Sequence, residues 1–376
     1  MSDTLNLALI GSGHLGGSFA LALREAGAQV HITAFDSDRA QAELLQQRGG
    51  ADAIASSAAD ATRGADIVML ATPLRSYAAL AAEIAPALGA HAIVTDLGSV
   101  KRSMDALKTT LPPARLVPGH PIAGGEKTGA AVASGELFRG KLCILTGDDA
   151  DSSAVETIET LWHLAGADVL RMPTQVHDSI YAYVSHLPHV IAFVAAELFF
   201  RLGVRVGDEQ EVLQRFLRIS RSNARMWADI ALENRETLLS ALSTYIAVLE
   251  HFAKELRSGK GETSPAPAEI AARFVPRILA GSLISAVSLY EQQSGMSLRP
   301  FGAGGMRDIV APAAIDPESE FEAMSQAAPS IAAVIEQALV LLREVERSIG
   351  SEDAEALLQY FTACTAHAHE LIRPRQ

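Results

Sequence analysis

The apolar run Leu5–Ile10 ends directly on Gly11-Ser12-Gly13-His14-Leu15-Gly16, and from Gly16 to Ala26 the chain turns helical and alanine-rich. Few folds accommodate a buried strand that breaks on a glycine-rich turn and re-enters as a helix. Gly11 permits the tight turn, Gly13 allows a ligand close to the backbone, and Gly16 allows the helix to pack on the strand. The pattern then repeats. Ala28–Phe35 is strand-like and stops at Asp36, a helical segment follows, and Ile67–Ala71 is a second buried run. Ser76–Leu88 is helical and Ala92–Thr95 is another short apolar run. Strand-like and helical segments in alternation predict βαβ units and a parallel sheet. Arg115–Val117 and Leu142–Leu145 are expected to extend that sheet, and Val169–Met172 to be its last strand.

The character changes after Pro173, beyond which helix follows helix. The expected fold is therefore an α/β Rossmann-type domain over 1–172 followed by an all-helical domain over 173–376, the latter in two blocks, 173–257 and 268–376. Ser258–Pro267 reads as an exposed linker between the blocks. His-Leu-Pro-His-Val-Ile-Ala (186–192) and Phe-Val-Pro-Arg-Ile-Leu-Ala (274–280) share a proline, a basic residue and an apolar run, so duplication and chance similarity of amphipathic helices both stand as explanations.

A glycine loop opening a helix offers free N–H groups and a positive dipole end to a pyrophosphate. Gly11, Gly13, His14, Leu15 and Gly16 are thus candidate dinucleotide-binding residues. Asp36, about twenty residues on, can accept hydrogen bonds from ribose hydroxyls and would repel a 2′-phosphate, which favours NAD, with NADP as the alternative. Thr72-Pro73 follows a strand end and is expected to border the cofactor. The formal net charge of −13 argues against nucleic-acid or anionic-membrane partners. Cys143 and Cys364 have no metal or redox spacing and read as ordinary thiols. The N-terminus lacks the basic region of a signal peptide, and the apolar stretch Val190–Phe200, interrupted by Glu197, is too short to span a bilayer. A cytoplasmic location and a small-molecule substrate are expected.

Two polar clusters follow later strand ends: Thr95-Asp96-Leu97-Gly98-Ser99-Val100-Lys101, and a loop from Gly119-His120-Pro121 to Gly129. A histidine in such a loop suits general-base chemistry near neutral pH. Asp-x-Gly-Ser-Val-Lys, then Gly-His-Pro-Ile-Ala-Gly-x-Glu-Lys-x-Gly, then Tyr-Val-Ser185-His186-Leu-Pro188-His189 resemble, in order and spacing, the signature blocks of prephenate/arogenate dehydrogenases. The resemblance covers residues 5 to about 250. It implies oxidative decarboxylation of a cyclohexadiene carrying a ring hydroxyl and a ring carboxylate. It also implies that His120 takes the hydroxyl proton, that Ser99 orients the hydroxyl, that Glu126 lies at the pocket entrance, and that His186 and His189 face the substrate. Arg218, in Arg218-Ile-Ser-Arg-Ser, matches the family's carboxylate-binding arginine, and a homodimer through the helical domain is implied.

The chain departs from the family pattern before Arg218. The Gly-rich, Arg-Asp lead-in is absent there and stands instead at Gly304-Gly305-Met306-Arg307-Asp308, where the position matching the arginine is Ala311. The second block is therefore expected to pack on the first as a pseudo-partner, bringing Arg307 or Asp308 near the site. A metal site at His186 and His189 has no third ligand at evident spacing. A β-hydroxyacid-type dehydrogenase would call for a lysine on the first interdomain helix, yet no lysine occurs between Lys141 and Lys254. A dinucleotide sensor without catalysis would not require His120, Ser99 and Arg218 together.

Overall fold

The structure is a computed structural model that describes residues 4–125, 127–207, 210–259, 261, 265–302, 304–314 and 318–372. The chain divides into two compact units, Met1–Asp178 and Ser179–Gln376. The division expected from sequence fell a few residues earlier, after 172.

In the first unit, β1 (Leu5–Ile10), β2 (Val30–Phe35), β3 (Ala53–Ile54), β4 (Ile67–Leu70), β5 (Ile93–Asp96) and β6 (Leu116–Val117) form a parallel sheet of order β3-β2-β1-β4-β5-β6. This is the doubly wound order of dinucleotide-binding domains, in which ligands sit outside the carboxyl ends of the strands where the order reverses. The apolar alternation in the sequence located five of these six strands. Helices α1 (His14–Glu25), α2 (Arg39–Gln47), α3 (Ala58–Thr62), α4 (Tyr77–Ile84), α5 (Arg102–Asp105) and α6 (Ser152–Leu164) accompany them. Phe19, Phe138 and Trp162 meet in the core, with Trp162 lying 4.8 Å from Phe19 and 5.1 Å from Phe138 between ring centres.

One expectation about the sheet is corrected. Leu142–Leu145 and the last strand do not extend it. They are β8 (Leu142–Leu145) and β9 (Asp168–Arg171) of a separate sheet of order β7-β8-β9, in which β7 (Gly119–Pro121) runs antiparallel to β8. His120 therefore sits in a strand, opposite Ile144, rather than in a free loop. A three-residue strand made of glycine, histidine and proline and preceded by Pro118 carries too little local signal to be read from sequence.

Helix α7 (Thr174–Tyr181) begins in the first unit. The second unit contains a π-helical segment, Ala182–His186, and helices α8 (Leu187–Arg201), α9 (Glu211–Arg218), α10 (Ala224–Glu233) and α11 (Arg235–Ser258). They are followed by α12 (Pro267–Arg273), α13 (Val275–Ser294), α14 (Gly304–Val310), α15 (Glu318–Gln326), α16 (Ala328–Gly350) and α17 (Ala354–Leu371). Every residue of α8 from Leu187 to Phe199 is buried, and α12, α13, α16 and α17 all pack against it. A helix apolar on all sides must be covered on all sides. With about 1.5–3 kcal/mol for each large aliphatic or aromatic side chain withdrawn from water, α8 is the axis of this unit. The helical run Thr174–Arg201 has the length and apolarity to cross a membrane, but its apolar window is 89% buried inside the fold. Part of the expected linker at 258–267 lies outside the described residues. Both cysteines are buried, and burial pushes their thiols up, away from the reactive thiolate.

Candidate active site

The glycine loop is built by contacts that only glycine allows. Gly11 has φ +103°, and a Cβ there would lie 2.4 Å from the Ala71 carbonyl oxygen. A Cβ on Gly16 would lie 2.2 Å from the Gly11 carbonyl oxygen. At Gly13 a Cβ would meet nothing within 4 Å, so this glycine faces open space at the start of α1. That asymmetry fits a pyrophosphate: two glycines let the chain fold on itself, and the third leaves room for a ligand. His14 and Leu15 form the first turn of α1 and are half-buried. Asp36 is already engaged, since its Oδ2 accepts from Ser12 N–H at 2.7 Å and its Oδ1 from Asp38 N–H at 2.9 Å. The carboxylate thus ties the glycine loop to the end of β2. Arg39 is paired with Glu43 on its own helix at 2.8 Å. At the end of β4, the Thr72 and Ser76 hydroxyls are hydrogen-bonded at 2.8 Å beside Pro73.

The centre of the first unit's polar cluster is a fully buried ion pair. Lys101 Nζ donates to both carboxylate oxygens of Asp96 at 2.7 Å, and also to the Gly119 carbonyl. Asp96 further accepts from Tyr77 Oη–H at 3.0 Å, Gly98 N–H at 2.9 Å and Gly119 N–H at 3.0 Å. Both side chains are completely shielded from solvent. A buried carboxylate survives only when its lone pairs are met, and here five hydrogen bonds meet them. This pair fastens the β5 end to the start of β7, and so fixes the loop carrying Ser99 and the strand carrying His120. Gly98 has no alternative, because a Cβ would stand 2.8 Å from both Asp96 Oδ2 and Tyr77 Oη. Ser99 is half-buried in that loop. Glu126 lies outside the described residues.

His120 belongs to a proton-ordering chain. Its Nδ1 lies 2.8 Å from His177 Nε2, and His177 Nδ1 lies 2.8 Å from Asp178 Oδ1. Asp178 also accepts from the backbone N–H groups of Lys101 at 2.8 Å and Arg102 at 2.9 Å. Burial pushes the Asp178 carboxyl up, but the His177 bond and those two N–H groups outweigh it and hold the group below the usual carboxylate range. Burial lowers His177, against the opposing pull of Asp178. An ionised Asp178 and a neutral His177 assign the tautomers in turn. His177 keeps its proton on Nδ1 for Asp178, which leaves its Nε2 to accept from His120 Nδ1–H. Sequence inspection missed His177 and Asp178 altogether, and it quoted Asp96 and Lys101 only as parts of a motif.

The second unit gathers a different set. His186 closes the π-helical segment, and its Nδ1 lies 3.0 Å from Asn234 Nδ2, which donates. π-Bulges recur at functional sites. His189 donates its Nδ1–H to the Ser185 carbonyl at 2.8 Å and stacks on Trp227 with ring centres 3.4 Å apart. Burial lowers His189 from its ordinary 6.5 to about 3, so the ring is neutral at every physiological pH. Arg218, at the end of α9, keeps 38% of its side chain exposed. It is not simply solvated: Nε donates to Asp308 Oδ2 at 2.7 Å and Nη2 lies 2.6 Å from the same oxygen. Arg215 Nε lies 3.6 Å from Asp308 Oδ1. Arg307 is exposed. Among the described residues no cluster could hold a metal ion.

Comparison with known proteins finds two family models in succession. Residues 19–171 match the nucleotide-binding domain of prephenate dehydrogenase, and residues 173–264 match its dimerization domain. The cyclohexadienyl dehydrogenase of Zymomonas mobilis is 33% identical over 270 residues, covering 68% of this chain and 90% of the relative. The prephenate dehydrogenase of Bacillus subtilis is 31% identical over 262 residues, covering 66% and 69%. The crystal structure of prephenate dehydrogenase from Aquifex aeolicus, solved also in complex with hydroxyphenyl propionate and NAD+, superposes with a TM-score of 0.60 at 29% identity, covering 77% of this chain and nearly all of that one.

Proposed function

The chain belongs to the prephenate dehydrogenase family, and from that premise we propose that it catalyses the NAD-dependent oxidative decarboxylation of prephenate, arogenate or both. The observation that carries this reading is the Asp178–His177–His120 chain, which orders the His120 imidazole in the dinucleotide-binding unit. The glycine loop, with its open position at Gly13, and the Asp36 carboxylate fit a dinucleotide whose ribose hydroxyls are free, so NAD is the proposed cofactor. When bound, it accepts hydride from the carbon bearing the ring hydroxyl.

The protein's own groups do the rest. His120 Nε2 takes the hydroxyl proton, which pushes electron density towards loss of hydride. CO2 leaves the opposite ring carbon, and its bonding pair completes the aromatic ring. His177 and Asp178 hold His120 in the accepting tautomer and stabilise the imidazolium as it forms. Ser99 orients the hydroxyl. Arg218 binds a substrate carboxylate, a task for which a guanidinium's paired donors are suited. His186 and His189 face the substrate, His189 as a neutral ring. Glu126 at the entrance, and a cytoplasmic location, complete the proposal.

Purified protein incubated with NAD+ and either prephenate or arogenate tests it through the absorbance of NADH. Turnover with one or both is expected, and their ratio assigns the substrate. Absence of turnover with both rejects the proposal and leaves a dinucleotide sensor or a dehydrogenase of other specificity.

A further inference from the structure

The match to the dimerization domain ends at residue 264, before α12. The helices beyond that residue repeat those before it. From α9 the first block runs as helices of 8, 10 and 24 residues, with a three-residue 3-10 turn after the first. From α14 the second runs as helices of 7, 9 and 23 residues, with a four-residue 3-10 turn at the same place. The offset is 93 positions: Arg218 corresponds to Ala311, and Asn234, at the α10–α11 junction, to Ala327 at the α15–α16 junction. The buried positions of α11 from Leu238 to Leu249 all have buried counterparts in α16, Leu238 with Ile331 and Leu249 with Leu342 among them. Upstream of the α9 and α14 helices the offset is 88, so that Pro188 in the first turn of α8 corresponds to Pro276 in the first turn of α13, and His186 and His189 to Phe274 and Arg277.

Corresponding side chains also touch in both blocks. His189 and Trp227 stack at 3.4 Å. Their counterparts, Arg277 and Glu320, form an ion pair at 3.5 Å. Two sequences sharing no side-chain chemistry at these positions still bring them together, which a chance resemblance of helices would not do. Around the shared core, α11 and α16 run antiparallel, since Arg235 meets Glu352, Ser243 meets Glu346, and Arg257 meets Glu336. At the middle Glu250 pairs with Arg343, its own counterpart 93 positions on. A residue meeting its own counterpart marks a twofold axis, as in an isologous dimer. In a true dimer that position would set like charge against like. Within one chain it has become opposite charges.

We propose that residues 265–376 are a degenerate second copy of the helical fold that stands where a second subunit would, so that one chain works as a monomer with one site. The copy has Phe274, Arg277, Ala311, Glu320 and Ala327 where the first block has His186, His189, Arg218, Trp227 and Asn234. It keeps Asp308, which reaches Arg218 across the axis, and the reciprocal pair is gone, since the counterparts are Arg215 and Ala311. Of two symmetry-related arginine–aspartate pairs only one survives. The apolar surface of α8 is sealed by the chain's own α12, α13, α16 and α17. Asp308 is on this view a positioning residue for Arg218, and that clause rests on the substrate role proposed above.

Sedimentation of the full chain is expected to give 39.8 kDa from nanomolar to high micromolar concentration, and calorimetry with NAD+ present is expected to give one 3-(4-hydroxyphenyl)propionate per chain. A stable species of twice that mass, or two ligands per chain, overturns the proposal. Neither readout requires turnover, so they judge it even if the proposed reaction fails. Where turnover is found, Asp308→Asn is expected to raise KM about tenfold at near-normal kcat, with partial recovery in Asp308→Glu and the mass unchanged. An unaltered or lowered KM removes Asp308 as a positioning residue.

Discussion

The two units position their polar groups by opposite means. The first buries charge and fastens backbone to it: Asp96 and Lys101 have no exposed surface, and Asp178 accepts from two backbone N–H groups while ordering His177 and His120. The second leaves the rings of its site on uncharged partners, with His189 stacked on Trp227 and His186 hydrogen-bonded to Asn234, and gives the buried Glu197 and Asp308 cationic partners that reach solvent, Arg201 and Arg218. A proton-transfer group needs one defined tautomer, which a hydrogen-bond chain anchored on a fixed anion provides. A helical core needs dense packing, and its charged members are tolerated only when they are paired.

The comparison breaks most visibly if the chain ending at His120 does not drive chemistry. His120→Asn is expected to lower kcat by about 10²–10⁴-fold while NAD+ binding, followed by fluorescence titration, stays unchanged. Near-normal turnover would remove His120 as the base. Next in size is the ion pair beneath it. Lys101→Met leaves Asp96 buried without its counter-ion, an arrangement that costs about 3–5 kcal/mol of stability. Urea denaturation should show this loss in the unfolding of the first unit, and a loss under about 1 kcal/mol would mean that the backbone donors alone sustain Asp96.

Much of this was legible in the chain beforehand, and the remainder was hidden for identifiable reasons. The strand–Gly11–helix start, Asp36 and the strand ends are local patterns, and the structure places them within a residue or two of where periodicity put them. His120 was visible because of the long motif around it, but its strand was not, since β7 is defined by β8, more than twenty residues on. His177 and Asp178 are the fourth and fifth residues of an otherwise ordinary helix. Their partners lie 57 and 77 residues away, and nothing in Thr174–Tyr181 announces either contact. The repeat showed only as a shared proline and basic residue, because what the two blocks conserve is helix length and burial. At the compared site positions their residues differ in chemistry.

The buried His189 of the second unit makes a prediction of its own about pH. His189 has its folded value lowered by burial to about 3, while the unfolded chain binds a proton near 6.5. The stability it contributes is therefore complete above 6.5 and is lost as pH falls from there towards 3, because the unfolded state gains the proton first. His189→Phe preserves a ring against Trp227 and removes that titration. Relative to the parent, the variant should gain about 1 kcal/mol or more between pH 7 and pH 5, read from urea midpoints at each pH. Parallel stability curves for the two proteins would show that His189 carries a proton in the folded state, and would end the contrast between a first unit that fully buries an ion pair and a second whose buried ring is neutral.

The smallest expected effect lies at the rim, where the contrast is finest. Glu250 and Arg343 are half-exposed, and exposed ion pairs contribute about 0.2–1 kcal/mol. Glu250→Arg sets two guanidinium groups face to face, the like-charge meeting that a symmetric pair of identical chains would have at this point. It should cost about 1 kcal/mol or less, and the cost should shrink in 0.5 M salt, since exposed charges are screened. The double change Glu250→Arg with Arg343→Glu should restore the loss, because the pair is recreated with its charges exchanged. If the single and double variants are equally destabilised, the two positions do not meet, and the axis read from them is misplaced. If the single variant costs several kcal/mol, charge at this rim is as consequential as charge in the first unit's interior, and the two units are not built on different terms after all.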